Sequence, residues 1–227
     1  TLLTSFYIDP AYEHTLAPQL LSRARLLFIA EFAERFSDRI AAESPGLADD
    51  AGHCPFWAAV GQRFFGMDYP AAEQLTGGRS KAFIAELMPQ SPIYVPLLPD
   101  DAQWAIGQLH PVAELPFSIL LDEGFDAETY VDIFDGGPTA DARVAMLKTV
   151  VASRQAACAV GEAGNSPWCL VASARREGFR AVMARGDAQA QELRLGAEAL
   201  TQLQLQPGQR LRWAPLPVAA ADARSGA

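Results

Sequence analysis

The chain has 227 residues, half of them hydrophobic, with 9% aromatic and 20% charged, which suits a folded soluble protein with a sizeable core rather than a disordered one. Its 18 basic residues against 27 acidic ones give a net charge of −9 and a sequence pI near 4.8, arguing against a general nucleic-acid or anionic-membrane binder, because both need clustered Lys and Arg. No run of about 18 apolar residues occurs, which excludes a membrane-spanning helix.

In chain order, Leu2 to Ile8 is β-rich and stops at the turn signal Asp9-Pro10. The start at Thr1, directly on that strand-like run, reads as a fragment or a processed chain. Pro18 suits a first helical turn, and Gln19 to Phe36 follows with apolar residues at helical spacing. Arg39 to Glu43 is a second strand, ended by Ser44-Pro45-Gly46. Strand, helix and strand in that order predict one βαβ unit of an α/β layer.

From Cys54 to His110 the sequence turns helical and Pro-punctuated. Helices are expected over Phe56 to Phe65, Pro70 to Leu75, Lys81 to Leu87 and Asp100 to Gly107. Val112 to Asp122 is a further helix, with Gly124 suited to its left-handed cap. Thr129 to Phe134 reads as a strand closed by Asp135-Gly136-Gly137-Pro138. Ala140 to Ser153 fits either helix or strand. Beyond it, strands at Trp168 to Ala172, Phe179 to Ala184 and Gln209 to Trp213, with a helix over Leu195 to Leu203, predict a small β-rich module. Val218 to Ala227 is Ala-rich and reads as a disordered tail.

Cys54, Cys158 and Cys169 are an odd count without C-x-x-C spacing. That disfavours a disulfide framework or a zinc site and suits a reducing cytosol. His53 and Cys54 are adjacent but lack a second ligand pair, so no metal is expected. Asp132 and Asp135, near a strand end, read equally as solvated turn acids or as partners for a cationic substrate. Gly136-Gly137 reads as a turn before it reads as a phosphate cradle. His110, beside a helix start, is placed for acid–base work, although position alone favours a structural role.

Several long words then point to one family. They are Ser22 to Phe28, Pro55 to Trp57 with Phe64-Phe65, Lys81 to Pro89, Pro92 to Pro99, Gly107 to Pro111 and Tyr130 to Thr139. In this order they resemble bacterial arginine N-succinyltransferase, from Leu2 to about Arg154 and more loosely to Trp213. The likeness is nearest to the family's α-chain branch.

The resemblance implies an α/β fold related to the GNAT acyltransferases. Residues 1–139 would be the C-terminal part of that unit, with a helical insertion at about 50–110, and residues 140–217 a β-rich module. It implies transfer of succinyl from succinyl-CoA to the α-amino group of L-arginine in the cytoplasm; a related amine such as ornithine is an alternative acceptor that the sequence does not separate from arginine. No cofactor is implied beyond succinyl-CoA as co-substrate. Homo- or hetero-oligomers with a paralogous subunit are implied too. The strand Leu2 to Ile8 would pair with the pantetheine arm, Phe6 matches an acyl-CoA contact, and His110 matches the proton donor. Asp132, Asp135 and Glu86 are the candidates for holding the guanidinium. Two departures stand out. Leu16-Ala17-Pro18 replaces a Gly-Asn-Gly-like loop that wraps the pyrophosphate, and the family's N-terminal block is missing. They raise an alternative, a non-catalytic or regulatory subunit that pairs with an active paralogue.

Overall fold

Hydrophobic patterning becomes two sheets with a helix packed between them. The computed structural model describes residues 1–76, 86–161, 164–189 and 191–216. Most of the helix expected from Lys81, and the tail expected over 218–227, lie outside them.

The first sheet has the order β1-β2-β4-β3, with β1 Leu2–Leu3, β2 Arg39–Glu43, β3 Asp126–Val131 and β4 Pro138–Arg143. Strand β2 forms where its alternation predicts, with Ile40 and Ala42 buried and Arg39 and Glu43 exposed. It pairs in parallel with β1 and antiparallel with β4. Strand β1 is far shorter than the expected Leu2 to Ile8. Only Leu2 and Leu3 pair, with Ala41 and Ala42, and Ser5 then takes a left-handed φ of 59° that a non-glycine residue adopts at a cost. β-rich composition cannot show that the partner strand turns away.

Helix α1, Ala17–Glu31, ends at Phe32 and is followed by a 3-10 turn over Ala33–Arg35. It is apolar on two sides for a reason. Leu26 and Ile29 pack on the first sheet with Ile40, Ala140 and Phe125, while Leu27 packs on Leu170, Ala172 and Ala214 of the second.

The insertion holds α2 Pro55–Ala59, α3 Gly61–Phe65, α4 Tyr69–Thr76 and α5 Asp100–Ala105. The single aromatic helix expected over Phe56 to Phe65 is broken at Val60. There the buried Trp57 ring lies across Gly61, where a Cβ would sit 2.1 Å from a ring carbon. The Trp57 indole N–H donates to the Met67 carbonyl at 3.0 Å. Around it Cys54, Phe56, Val60, Ala72, Ala105 and Phe134 form a separate small core. Phe56, Trp57 and Phe65 are therefore core residues, and Phe64 is exposed.

Helix α6, Glu114–Glu123, follows a 3-10 turn over Pro111–Ala113 and ends at Gly124, whose φ of 101° is the expected left-handed cap. The expected domain boundary at 139/140 falls inside β4, which pairs with β2 through Arg143. Helix α7, Lys148–Ala152, then leads into a closed barrel, in the order β5-β8-β7-β6-β9. Its strands are β5 Arg154–Val160, β6 Trp168–Ser173, β7 Ala181–Gln189, β8 Glu192–Leu195 and β9 Arg210–Pro215, and helix α8, Ala197–Leu203, packs against their apolar faces. Closure removes the free edges that a small sheet would otherwise expose. All three cysteines are buried free thiols, and desolvation pushes each of them up from its ordinary pKa.

Candidate acyl-transfer cleft

Where β1 ends, the chain and β2 diverge and leave a cavity of about 330 Å³. Its walls are largely apolar: Leu3, Phe6, Ala42, Pro45 and Val112, with Arg25 and Glu43 as its charged lining. The backbone N–H groups of Thr4, Ser5 and Phe6 donate to no described residue, although that strand segment borders the cavity. A sheet that parts in this way offers backbone donors to an extended ligand as a missing strand would.

His110 adjoins this cavity through the turn that it caps, whose Val112 and Ala113 line it. It caps the 3-10 turn over Pro111–Ala113, and its Nδ1 accepts the Val112 N–H at 3.2 Å. Its backbone N–H donates to the Pro45 carbonyl at 2.9 Å, so one lining residue holds the ring and a second holds the main chain of His110. With Nδ1 engaged, Nε2 is the nitrogen available to a reacting group.

The loop under His110 is held by Asp135. This buried carboxylate accepts the N–H of Gly46 through Oδ2 and that of Gly137 through Oδ1, each at 2.8 Å. The two glycines make the crossing possible. A Cβ on Gly137 would sit 2.2 Å from the Ser44 carbonyl, and one on Gly46 would sit 2.5 Å from the Asp135 carbonyl. Gly107 donates to the Gly136 carbonyl at 2.8 Å and ties the insertion to the same turn. Asp135 thus positions the Pro45-Gly46 segment, whose Pro45 carbonyl accepts the His110 backbone N–H. Asp132 accepts the Phe134 N–H at 2.7 Å in an Asx turn, and Glu86 is exposed. Neither lines the cavity beside His110, which Phe6 does line.

Two charged residues at the cavity escaped the sequence reading. Arg25 looked like one of several charges interspersed along an apolar helix, and Glu43 like the polar end of a strand. Arg25 is half-buried, and its guanidinium lies 5.8 Å from the centre of the Phe6 ring. Burial lowers its pKa from the usual value.

The start of α1 borders a second, more open cavity of about 710 Å³, lined by Thr15, Leu16, Ala17 and Arg180. Few amides serve it. Pro18 has none, and the Ala17 N–H is taken by the Thr15 hydroxyl at 3.1 Å, so Gln19 carries the uncommitted donor of that turn. Among the described residues no group of three His, Cys, Asp or Glu side chains is placed to hold a metal, and no helix is long and apolar enough to cross a membrane.

A family model described as arginine N-succinyltransferase beta subunit matches residues 1–149, and one for that subunit's C-terminal domain matches residues 152–215. The chain belongs to the arginine N-succinyltransferase family. The two matched segments meet at α7, where the first sheet has ended and the barrel begins. Arginine N-succinyltransferase subunit alpha of Pseudomonas aeruginosa PAO1 is 48% identical over 185 residues, 81% of this chain and 54% of that protein. Arginine N-succinyltransferase of Escherichia coli strain 55989 is 41% identical over 212 residues, 92% of this chain and 62% of that protein. A solved structure, arginine/ornithine succinyltransferase subunit AI from Pseudomonas aeruginosa, superposes with a TM-score of 0.83 at 40% identity. That superposition covers 94% of this chain and 62% of the other. The chain therefore spans between about half and three-fifths of the length of these relatives.

Proposed function

We propose that the protein to which this chain belongs moves a succinyl group from succinyl-CoA to the α-amino group of L-arginine, giving N2-succinyl-L-arginine and CoA. The cleft between β1 and β2 would hold the acyl end. The observation that carries this reading is the meeting, at one largely apolar cavity, of the Thr4 to Phe6 backbone, whose N–H groups donate to no described residue, the Phe6 ring and the turn capped by His110. The family and the names of the relatives supply the substrates. Residues 1–143 then act as a GNAT-like acyltransferase unit, which the parting of the parallel β1–β2 pair supports, and the barrel acts as an attached module.

The α-ammonium of arginine first gives up a proton to water or to His110. The neutral amine then attacks the thioester carbon, and the N–C bond forms as the carbonyl oxygen becomes an oxyanion. Strand N–H groups of the Thr4 to Phe6 kind stabilise such charge in a cavity with largely apolar walls. The C–S bond then breaks, a protonated Nε2 of His110 gives its proton to the departing thiolate, and the new amide nitrogen gives up its surplus proton to the ring nitrogen so freed or to water. Glu43, exposed on the cavity lining, is a carboxylate for the cationic acceptor, alongside Asp132 and Glu86. Asp135 serves through the loop it holds.

Action in the cytoplasm as one subunit of a larger assembly belongs to the same proposal. The support for an assembly is an exposed apolar run in which Tyr94 is 72% and Leu97 82% accessible. A second reading, a non-catalytic subunit that lends its fold to an active paralogue, is favoured by the amide-poor first turn of α1.

Incubation of the whole protein with succinyl-CoA and L-arginine, followed by mass spectrometry, separates the two. Succinylarginine that appears in step with free CoA is the expected result, and L-ornithine in place of arginine measures acceptor preference. A folded protein that binds CoA and yields no product would overturn the enzyme reading in favour of the subunit.

A further inference from the structure

Four arginines show what a satisfied guanidinium looks like in this chain. Arg23 pairs with Glu123 and Asp122, Arg212 with Glu31, Arg210 also with Glu31, and Arg39 with Asp141. Arg25, on α1 between them, differs. Its polar contacts are long and neutral, to the Ser22 carbonyl at 3.3 Å and the Ser22 hydroxyl at 3.4 Å, and no described carboxylate pairs with it. It is nevertheless half-buried and lines the cavity beside His110. A cation taken partly out of water without a counter-charge is costly and creates a site that favours an anion.

We propose that Arg25 binds the free carboxylate at the far end of the succinyl group, so that it selects a dicarboxylic acyl-CoA over a neutral one. The inference rests on the acyl-transfer reading above. Three features single out this anion rather than a CoA phosphate. The cavity is small, about 330 Å³, and its lining is mostly apolar, with Leu3, Phe6, Ala42 and Leu120 among it, which suits a short carbon chain with one terminal charge. Arg25 lies eight residues into α1, about 12 Å from its start at 1.5 Å per residue, whereas the helix start has its own cavity and its own cation, Arg180. The guanidinium lies over the Phe6 ring, 5.8 Å from its centre, and its planar fork is the donor geometry that a carboxylate accepts. The carboxylate of Glu43 shares the cavity lining but is exposed and forms no ion pair with Arg25, so it leaves the guanidinium uncompensated.

The test is calorimetric binding of CoA, butyryl-CoA and succinyl-CoA to the whole protein, as wild type, Arg25→Gln and Arg25→Lys. Butyryl-CoA has a methyl group where succinyl-CoA has its carboxylate. The wild type is expected to favour succinyl-CoA by about 10- to 100-fold, the range of a hydrogen-bonded charge. In Arg25→Gln that preference falls to within about threefold, while CoA and butyryl-CoA bind as before. Arg25→Lys keeps the charge without the fork and retains an intermediate preference, and it carries the test if the Gln variant does not fold. Equal weakening of all three ligands in folded variants would place Arg25 on the CoA moiety and overturn the proposal. So would a wild type that binds CoA but does not distinguish the two acyl groups, and in that case the transfer reading stands or falls by its own product assay. A wild type that binds no CoA at all would overturn both.

Discussion

Glu123→Ala should lower the unfolding free energy by about 3–5 kcal/mol, the cost of leaving a buried charge without its partner. The side chains of Arg23 and Glu123 are 6% and 2% accessible, and each is held by several groups. Glu123 also accepts the Thr149 N–H at 2.8 Å and the Thr149 hydroxyl at 2.7 Å, while Arg23 reaches Gln19 and Asp122 as well. These bonds join α1, α6 and the start of α7, so one carboxylate fixes the helix carrying Arg25 against the helix that follows His110. Chemical denaturation followed by tryptophan fluorescence measures the loss. The replacement of both charges by apolar residues of similar size, Arg23→Met with Glu123→Leu, should recover much of it, because then no charge is stranded. A single Glu123→Ala variant within 1 kcal/mol of wild type would mean that the pair is not buried in solution as it is here.

His110→Ala should leave CoA affinity nearly intact and cut kcat by about 100- to 10,000-fold, the usual contribution of a placed proton donor. The basis is geometric. His110 is anchored by Val112 and Pro45, which line the cavity, and it contributes little to the cavity wall itself. A change confined to KM would instead mark the ring as a binding surface. Stopped-flow release of CoA thiol, with CoA affinity measured in parallel, separates kcat from KM. His110→Gln is a useful companion, since it can keep a hydrogen bond there without titrating near neutrality. Equal turnover in wild type and both variants would remove His110 from the chemistry.

Local signals in the sequence were enough to place α1, β2 and α6. Each has a clear period, a Pro or Gly punctuation, or both, and Gly124 ends its helix as its chemistry requires. Tertiary effects account for the failures. The strand expected to reach Ile8 loses its partner after Leu3, and no residue in Thr4 to Ile8 announces that. Strands β5 and β8 were missed because Arg154 to Val160 is Ala-rich and Glu192 to Leu195 is only four residues long; barrel closure supplies the stability that local propensity lacks. Strand β4 was half-seen, as the start of an ambiguous stretch; the turn at Gly136-Gly137 leads into it, and it pairs along its length with β2.

The site was legible to a different degree. His110 and Phe6 entered through family resemblance, and the fold brings Phe6 and the His110 turn to one cavity. Asp135 was singled out as an acid near a strand end, yet its reason for being there is the pair of backbone donors from Gly46 and Gly137. Arg25 was illegible. On paper it is one of two arginines in Ser22-Arg23-Ala24-Arg25, and nothing in that string tells the ion-paired one from the one that faces a cavity.

The most direct test of the cleft is amide hydrogen exchange with and without CoA. Thr4, Ser5 and Phe6 donate no backbone hydrogen bond to a described residue, so their amides should exchange fast in the free protein. A pantetheine arm laid along that segment should slow them, together with the turn at Pro111–Ala113 beside His110. Protection of residues 4–6 and 112–113 on addition of CoA is the predicted result. Saturating CoA that leaves those amides unchanged, with protection confined to the barrel strands, would contradict the assignment of this cleft as the acyl-transfer site.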